Sequence, residues 1–186
     1  MVASRTGLLR PGRVVASRAV SDGPPNVFVD AWEREVSHGP FELRGRRVGA
    51  AAGARQLGAG VFELAPGKTN LPYHAHHGIE ELLVVLSGRP RLRTPGGERD
   101  LVAGDVVSFP AGREGAHQLI NATSAPVRYL MVSTTASADL IEYPDSGKVG
   151  ALGGSWGEPG AVAHMFSADQ QVGYFDGEGG GQESTR

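Results

Sequence analysis

The sequence predicts an all-β protein in which short strands form a barrel or a sandwich. Strand-like segments recur about every 8 to 12 residues with turn residues between them, a spacing typical of these folds. The 186 residues include 28 glycines and 12 prolines, so the chain is rich in residues that form tight turns. No segment has a helical hydrophobic period of useful length.

The N-terminal part begins with a predicted disordered arm at residues 1–25, which are rich in Arg, Gly, Ser and Ala and end in Gly23-Pro24-Pro25. A single helical turn is the expectation for residues 31–36. The next strand signals are 41–44 and 46–48, separated by Gly45, and 60–65, which ends at the turn signal Pro66-Gly67.

The central part contains the strongest strand signal, the continuous apolar run at 81–86. Its length and β-branched content favour a buried strand over a helix. Residues 91–94 and 98–101 flank Pro95-Gly96-Gly97, which predicts a hairpin. Further strands are predicted at 105–110, 116–121 and 127–132.

The C-terminal part lacks a clear strand pattern beyond Asp139. Residues 150–160 are rich in glycine and are predicted to lack regular structure. We therefore expect three regions: the arm at 1–25, a barrel with an N-terminal extension at 26–143, and an irregular tail at 144–186. Tyr174 and Phe175 are the residues expected to pack part of this tail on the barrel.

Composition excludes several classes of protein. The net charge of −2 and the pI of about 6.3 do not suit a nucleic-acid binder. No apolar run approaches the roughly 20 residues that span a bilayer, so we expect a soluble, cytoplasmic protein without a membrane partner. The chain has no cysteine, so a metal here must be held by histidine and carboxylate.

Two histidines provide the first sign of chemistry. His74 and His76 are separated by one residue, and on a strand this spacing directs both imidazoles to the same face. His77 faces the other side and is a poorer candidate ligand. A lone histidine in a strand is usually structural, but two at this spacing can converge on one metal ion.

Further ligands have to come from other segments. Glu80 and Glu81 are both candidates, and Glu81 shares a strand face with the apolar Leu83 and Val85, which favours Glu81. His117 heads a strand much later in the chain. Three imidazoles and one carboxylate suit Fe, Mn, Ni, Zn or Cu as a divalent ion, and they do not suit calcium.

Two longer motifs resemble those of the cupin superfamily. The stretch from Gly67 to Gly88 is similar to the first cupin motif, and the count back from Gly88 selects Glu81 over Glu80. The stretch from Gly104 to Asn121 is similar to the second, with four residues instead of the usual two between Gly112 and the histidine. The tail also resembles that of small bacterial cupins with no settled activity.

The resemblance implies a double-stranded β-helix, or jelly-roll, barrel whose metal is held by His74, His76, Glu81 and His117. It also implies a small-molecule substrate in the barrel, a dioxygenase, isomerase or lyase activity, and a homodimer. The alternative is a non-catalytic module that binds or senses a small molecule. Aromatic and sulfur side chains are expected to form the core or the walls of a substrate pocket, since such residues fill barrel interiors: Phe62, Tyr73, Phe109, Tyr129 and Met131.

Overall fold

The computed structural model describes residues 23–154 and 160–178. Within these ranges the chain forms thirteen strands, two short 3₁₀ turns and no α-helix. The strands are β1 Arg34–His38, β2 Phe41–Arg47, β3 Leu57–Leu64, β4 Ala75–His76, β5 Glu81–Ser87, β6 Arg91–Thr94, β7 Gly97–Asp100, β8 Val106–Phe109, β9 Gln118–Ile120, β10 Val127–Thr134, β11 Ala138–Tyr143, β12 Lys148–Gly153 and β13 Val162–Ser167. The predicted all-β fold is confirmed.

The strands form two antiparallel layers. The first layer is a six-stranded sheet in the order β1-β2-β3-β10-β5-β8. The second layer consists of a three-stranded part, β7-β6-β9, and a four-stranded part, β13-β12-β11-β4. An isolated bridge between His74 and His117 joins these two parts. The junction inside the second layer is therefore formed by two of the predicted metal ligands.

The main core lies between the two layers, because its buried side chains come from both. Leu83 and Val85 of β5 face Leu92 of β6 and Leu119 of β9 in one cluster. Leu83 and Val85 are also the residues that alternate inward after Glu81, as the sequence predicts. The alternation along β5 therefore directs Glu81 toward the interior.

Gly45 is needed in this fold, although it does not break β2 as the sequence predicts. A β-carbon at Gly45 would lie 2.6 Å from the ring of Phe62 on the neighbouring strand. The close approach of the aromatic ring therefore explains the glycine, and β2 runs through it without interruption.

Two other predictions about the chain ends are wrong in part. The turn expected at 31–36 is instead a loop followed by β1, which pairs with β2 along its whole length. The tail expected to be irregular contains β12 and β13, which extend the second layer beyond β11. Hydrogen bonds to strands on both sides compensate for the low strand propensity of the glycines in β12.

The predicted arm at 1–25 lies almost entirely outside the described residues. Tyr174 and Phe175 are 90% and 78% exposed, so they do not pack the tail onto the barrel. Within residues 23–154 and 160–178, no helix is long and apolar enough to cross a membrane.

Candidate metal centre

The second layer positions three histidines. His76 lies on the inner face of β4, His74 lies immediately before this strand, and His117 lies immediately before β9. The backbones of His74 and His117 are joined by two hydrogen bonds, with N–O distances of 3.3 Å and 2.9 Å. Their rings are consequently neighbours, with centroids 4.7 Å apart, and the rings of His74 and His76 are 5.0 Å apart.

The opposite layer provides the carboxylate. Glu81, at the start of β5, places its Oε2 atom 3.3 Å from His117 Nε2 and 3.6 Å from His76 Nε2. One ligand atom from each of His74, His76 and Glu81 lies within 4.8 Å of the others. His117 lies outside this group of three but next to it, through its contact with Glu81, so the four predicted residues lie close together between the two layers.

Hydrogen bonds fix the orientation of each imidazole. The Nδ1 atom of His74 lies 2.8 Å from the Pro72 carbonyl oxygen, and that of His117 lies 3.0 Å from the Gly115 carbonyl oxygen. The Nδ1 atom of His76 lies 2.5 Å from Asp139 Oδ2. Carbonyl and carboxylate oxygens only accept hydrogen bonds, so each Nδ1 carries a proton, and each ring in its neutral form presents an Nε2 lone pair.

The electrostatics of the site favour neutral rings at His74 and His117. Burial, together with the neighbouring rings of His117 and His76, lowers the pKa of His74 to about 3. Burial likewise lowers the pKa of His117 to about 4. Burial alone would lower the pKa of His76, but the hydrogen bond to Asp139 and the nearby Glu81 raise it.

The Glu81 carboxylate has an unsatisfied atom in this environment. Its Oε2 is buried and forms no hydrogen bond, and burial raises the pKa of the group. A buried carboxylate oxygen that faces imidazole lone pairs finds no donor there, because the Nδ1 protons are used elsewhere. A divalent transition metal would satisfy all of these atoms at once, so the residues present fit such an ion.

Sequence reasoning missed Asp139, the residue that holds His76. Its Oδ1 accepts a hydrogen bond from the Gly78 backbone N–H at 2.8 Å, while Oδ2 faces the His76 ring. Burial alone would raise the pKa of Asp139, but the hydrogen bonds from His76 and Gly78 lower it. A carboxylate behind a histidine is a common support for a metal ligand. No spacing rule could have found it, since Asp139 lies 63 residues after His76.

Comparison with known proteins agrees with this geometry. A family model described as a cupin domain matches residues 60–133, the part of the chain that contains all four predicted ligands. This chain carries a cupin domain. No curated protein matches the chain.

Two solved structures are similar to a longer part of this chain than the cupin domain alone. A sugar phosphate isomerase of a cupin superfamily from Silicibacter pomeroyi is 28% identical over 72% of this chain and 82% of its own, with a TM-score of 0.63. A candidate sugar phosphate isomerase from Acidithiobacillus ferrooxidans is 26% identical over 72% of this chain and 81% of its own, with a TM-score of 0.61. The cupin domain and its neighbours confirm the double-stranded β-helix fold.

The extended loop of the second cupin motif contains a 3₁₀ turn, Arg113–Gly115. The Gly112 backbone N–H donates to the His76 carbonyl oxygen at 2.7 Å, which attaches the loop to β4. Gly115 packs so closely that a β-carbon there would lie 1.9 Å from the Pro110 carbonyl oxygen. The extra residues are therefore compacted into a turn, and His117 still reaches the site.

A charged network on the outer face of β4 holds the same loop. Arg113 donates two hydrogen bonds to Glu142, at 2.8 Å and 2.9 Å, and His77 Nε2 lies 3.1 Å from the same carboxylate. Arg113 and then His77 lower the pKa of Glu142 to about 2. His77 thus points away from the ligands, in agreement with the alternation along β4, and Glu80 is exposed.

The five aromatic and sulfur residues predicted as core or pocket wall lie in different places. Phe109 stacks on the His117 ring, with centroids 3.9 Å apart. Tyr129 is buried in the main core with the partly buried Phe62 and Met131. Tyr73 belongs to a small separate cluster and lies under the guanidinium of Arg93. A substrate-binding role for any of them stays a prediction.

Proposed function

We propose that this cupin is a metal-dependent isomerase of a small phosphorylated sugar, with the ion held by His74, His76, Glu81 and His117. The metal centre rests on one observation: a buried Glu81 oxygen without a hydrogen-bond donor lies in a cluster with His74 and His76, and 3.3 Å from His117 Nε2. The reaction class rests on the similarity to the two sugar phosphate isomerase structures.

The chemistry would be that of a carbonyl compound. A divalent ion in the site would polarise the carbonyl oxygen of the substrate and make the adjacent C–H more acidic. Tyr143 lies against His74, with ring centroids 6.1 Å apart, and burial raises its pKa. Its phenol therefore stays protonated near neutral pH, and it can donate a hydrogen bond to a substrate oxygen.

Several side chains would maintain the site around the substrate. Asp139 orients His76, and the Gly115 carbonyl oxygen orients His117. Phe109 covers the face of the His117 ring and keeps water from it. The ligand histidines therefore have fixed directions before a metal binds, which lowers the entropy lost on binding.

The first experiment measures metal content in the full chain purified without a histidine tag. We expect about one transition-metal ion per chain, and we expect His74→Ala and His117→Ala to reduce the metal affinity more than about 100-fold, beyond the usual effect of a supporting residue. His38→Ala is the matched control, since His38 is exposed and lies outside the site. Equal metal content in all four proteins would contradict the proposed centre.

The second experiment tests the reaction. A panel of aldose and ketose phosphates is followed by NMR with the metal-loaded and the metal-free protein. We expect interconversion that stops on metal removal and returns when the ion is added. Oxygen uptake or bond cleavage would instead support the dioxygenase or lyase class. Binding without turnover would support the non-catalytic module.

A further inference from the structure

We propose that Lys148 binds the phosphate group of the substrate, at the end of a surface that leads from the metal centre along β11 and β12. This inference rests on the proposed function and specifies which part of the chain recognises the substrate. Lys148 lies outside residues 60–133, so the recognition would belong to the C-terminal extension and not to the cupin domain itself.

The strand register places Lys148 on the same face as the metal ligands. His76 of β4 lies opposite Ile141 of β11, and Tyr143 of β11 lies opposite Lys148 of β12. Residues directly opposite each other in antiparallel strands share a face, and so do residues two apart in one strand. The side chains of His76, Ile141, Tyr143 and Lys148 therefore all belong to the inner face of the second layer.

Two ring contacts connect Lys148 to the metal centre. The Lys148 Nζ atom lies 5.6 Å from the centroid of the Tyr143 ring, and this ring lies 6.1 Å from the ring of His74. One aromatic ring thus separates the ammonium group from a proposed metal ligand. An open-chain sugar phosphate carries its carbonyl and its phosphate at opposite ends. It therefore suits a site that has a metal ion at one end and an ammonium group at the other.

The distribution of charge singles out Lys148. Arg93 is held by Asp145 through two hydrogen bonds of 2.6 Å and 2.8 Å, and Arg113 is held by Glu142 in the same manner. In residues 23–154 and 160–178, by contrast, no carboxylate forms an ion pair with Lys148. Its exposed ammonium is therefore available to a phosphate, which lysine binds as a point charge.

The inner face of β11, β12 and β13 carries few other charges. The strand register places two charged side chains on this face, those of Asp139 and Lys148, and the other residues of the face are uncharged. The Asp139 carboxylate already binds His76 and the Gly78 backbone. Ser167, opposite Lys148 on β13, donates its hydroxyl to Asp169. Lys148 is consequently the cation on this face that an anionic substrate would meet.

The test uses calorimetry on the metal-loaded full chain, with ribose 5-phosphate and ribose as probes. We expect the wild type to bind ribose 5-phosphate more tightly than ribose, and we expect Lys148→Gln to weaken ribose 5-phosphate binding about tenfold, as for the loss of one charge-assisted hydrogen bond. Lys148→Arg should retain the preference. Lys68→Gln is the control, because Lys68 is paired with Glu42.

Two results would overturn the inference: no preference for the phosphorylated sugar in the wild type, or an unchanged preference in Lys148→Gln. Metal content measured on the same samples separates this failure from that of the proposed function. Intact metal binding and turnover with an unchanged phosphate preference would reject only Lys148. In turnover assays, Lys148→Gln should raise KM and leave kcat nearly unchanged, which a general loss of structure would not do.

Discussion

The imidazole of His76 and the carboxylate of Asp139 form a close pair, with Nδ1 and Oδ2 2.5 Å apart. The pair joins β4 to β11, and it directs the Nε2 lone pair of His76 toward Glu81. The second Asp139 oxygen is held by the Gly78 backbone, so the carboxylate itself is fixed. Asp139 therefore sets both the tautomer and the direction of a proposed ligand.

Removal of this support should weaken metal binding. We expect Asp139→Asn to lower metal affinity roughly 10- to 100-fold, the usual effect of losing a carboxylate behind a ligand histidine. Competition with a chelator of known affinity measures the change. Asp145→Asn is the control, because Asp145 binds Arg93 at the surface. Equal metal affinity in Asp139→Asn and the wild type would show that His76 does not need the carboxylate.

The metal-free protein should lose stability in mild acid. Since His74 and His117 have pKa values of about 3 and 4 in the folded chain, against an ordinary value near 6.5, the unfolded chain binds more protons between these limits. The free energy of unfolding should therefore fall as the pH drops through this window, by on the order of 3 kcal/mol for each ring. His76 and Glu81, whose pKa values are raised, act in the opposite sense.

Urea unfolding in the presence of a chelator, at several pH values from about 6.5 down to about 4, measures this dependence. The variant His117→Leu removes one of the two groups, so its stability should vary less steeply with pH than that of the wild type. An identical pH dependence in the two proteins would mean that folding does not lower the pKa of His117.

The turn before His117 should not tolerate a side chain at Gly115. In Gly115→Ala the new methyl group would meet the Pro110 carbonyl oxygen, so the loop would have to move and carry His117 with it. We expect a loss of about 1–3 kcal/mol in stability, as for other overpacked sites, together with weaker metal binding. Gly96→Ala provides the comparison, since its nearest neighbour is a side-chain oxygen at 3.7 Å. Similar melting temperatures and metal affinities for the two variants would contradict the expected clash.

The Tyr129 hydroxyl should matter for stability and not for the metal. Tyr129 is 3% exposed and hydrogen-bonds to Asn70, and burial raises its pKa well above the ordinary value. We expect Tyr129→Phe to reduce the free energy of unfolding by about 1 kcal/mol, because Asn70 loses a partner. Chemical denaturation and metal titration check both parts. A large loss of metal with no loss of stability would place the hydroxyl in the site instead of the core.

The strands of the central domain could be predicted from local signals. The apolar run of β5 and the hairpin of β6 and β7 both carry the period and turn residues that define them. The spacing of His74 and His76 predicted a shared face for the same local reason. The expected homodimer and cytoplasmic location do not follow from strand signals of this kind, and they stay predictions.

Other features depend on partners distant in the chain. Strands β12 and β13 have weak local signals, and they form because β11 offers a free edge for hydrogen bonding. Asp139 has no motif of its own and acquires its role through the pairing of β11 with β4. The placement of Lys148 near Tyr143 and His74 depends on the same two pairings.

The sequence by itself determined that this chain is all-β, because strand period is a local property, and its residue types, spacing and motif resemblance singled out four candidate metal ligands. The tertiary structure decided that these side chains converge, since Glu81 lies in one layer and the histidines in the other. It also decided the direction of the His76 ring, because the carboxylate that orients this ring comes from Asp139 on another strand. The contacts of His74 with Pro72 and of His117 with Gly115 are local, but Asp139 lies 63 residues after His76 and reaches it only when β11 pairs with β4, so no local pattern encodes that contact.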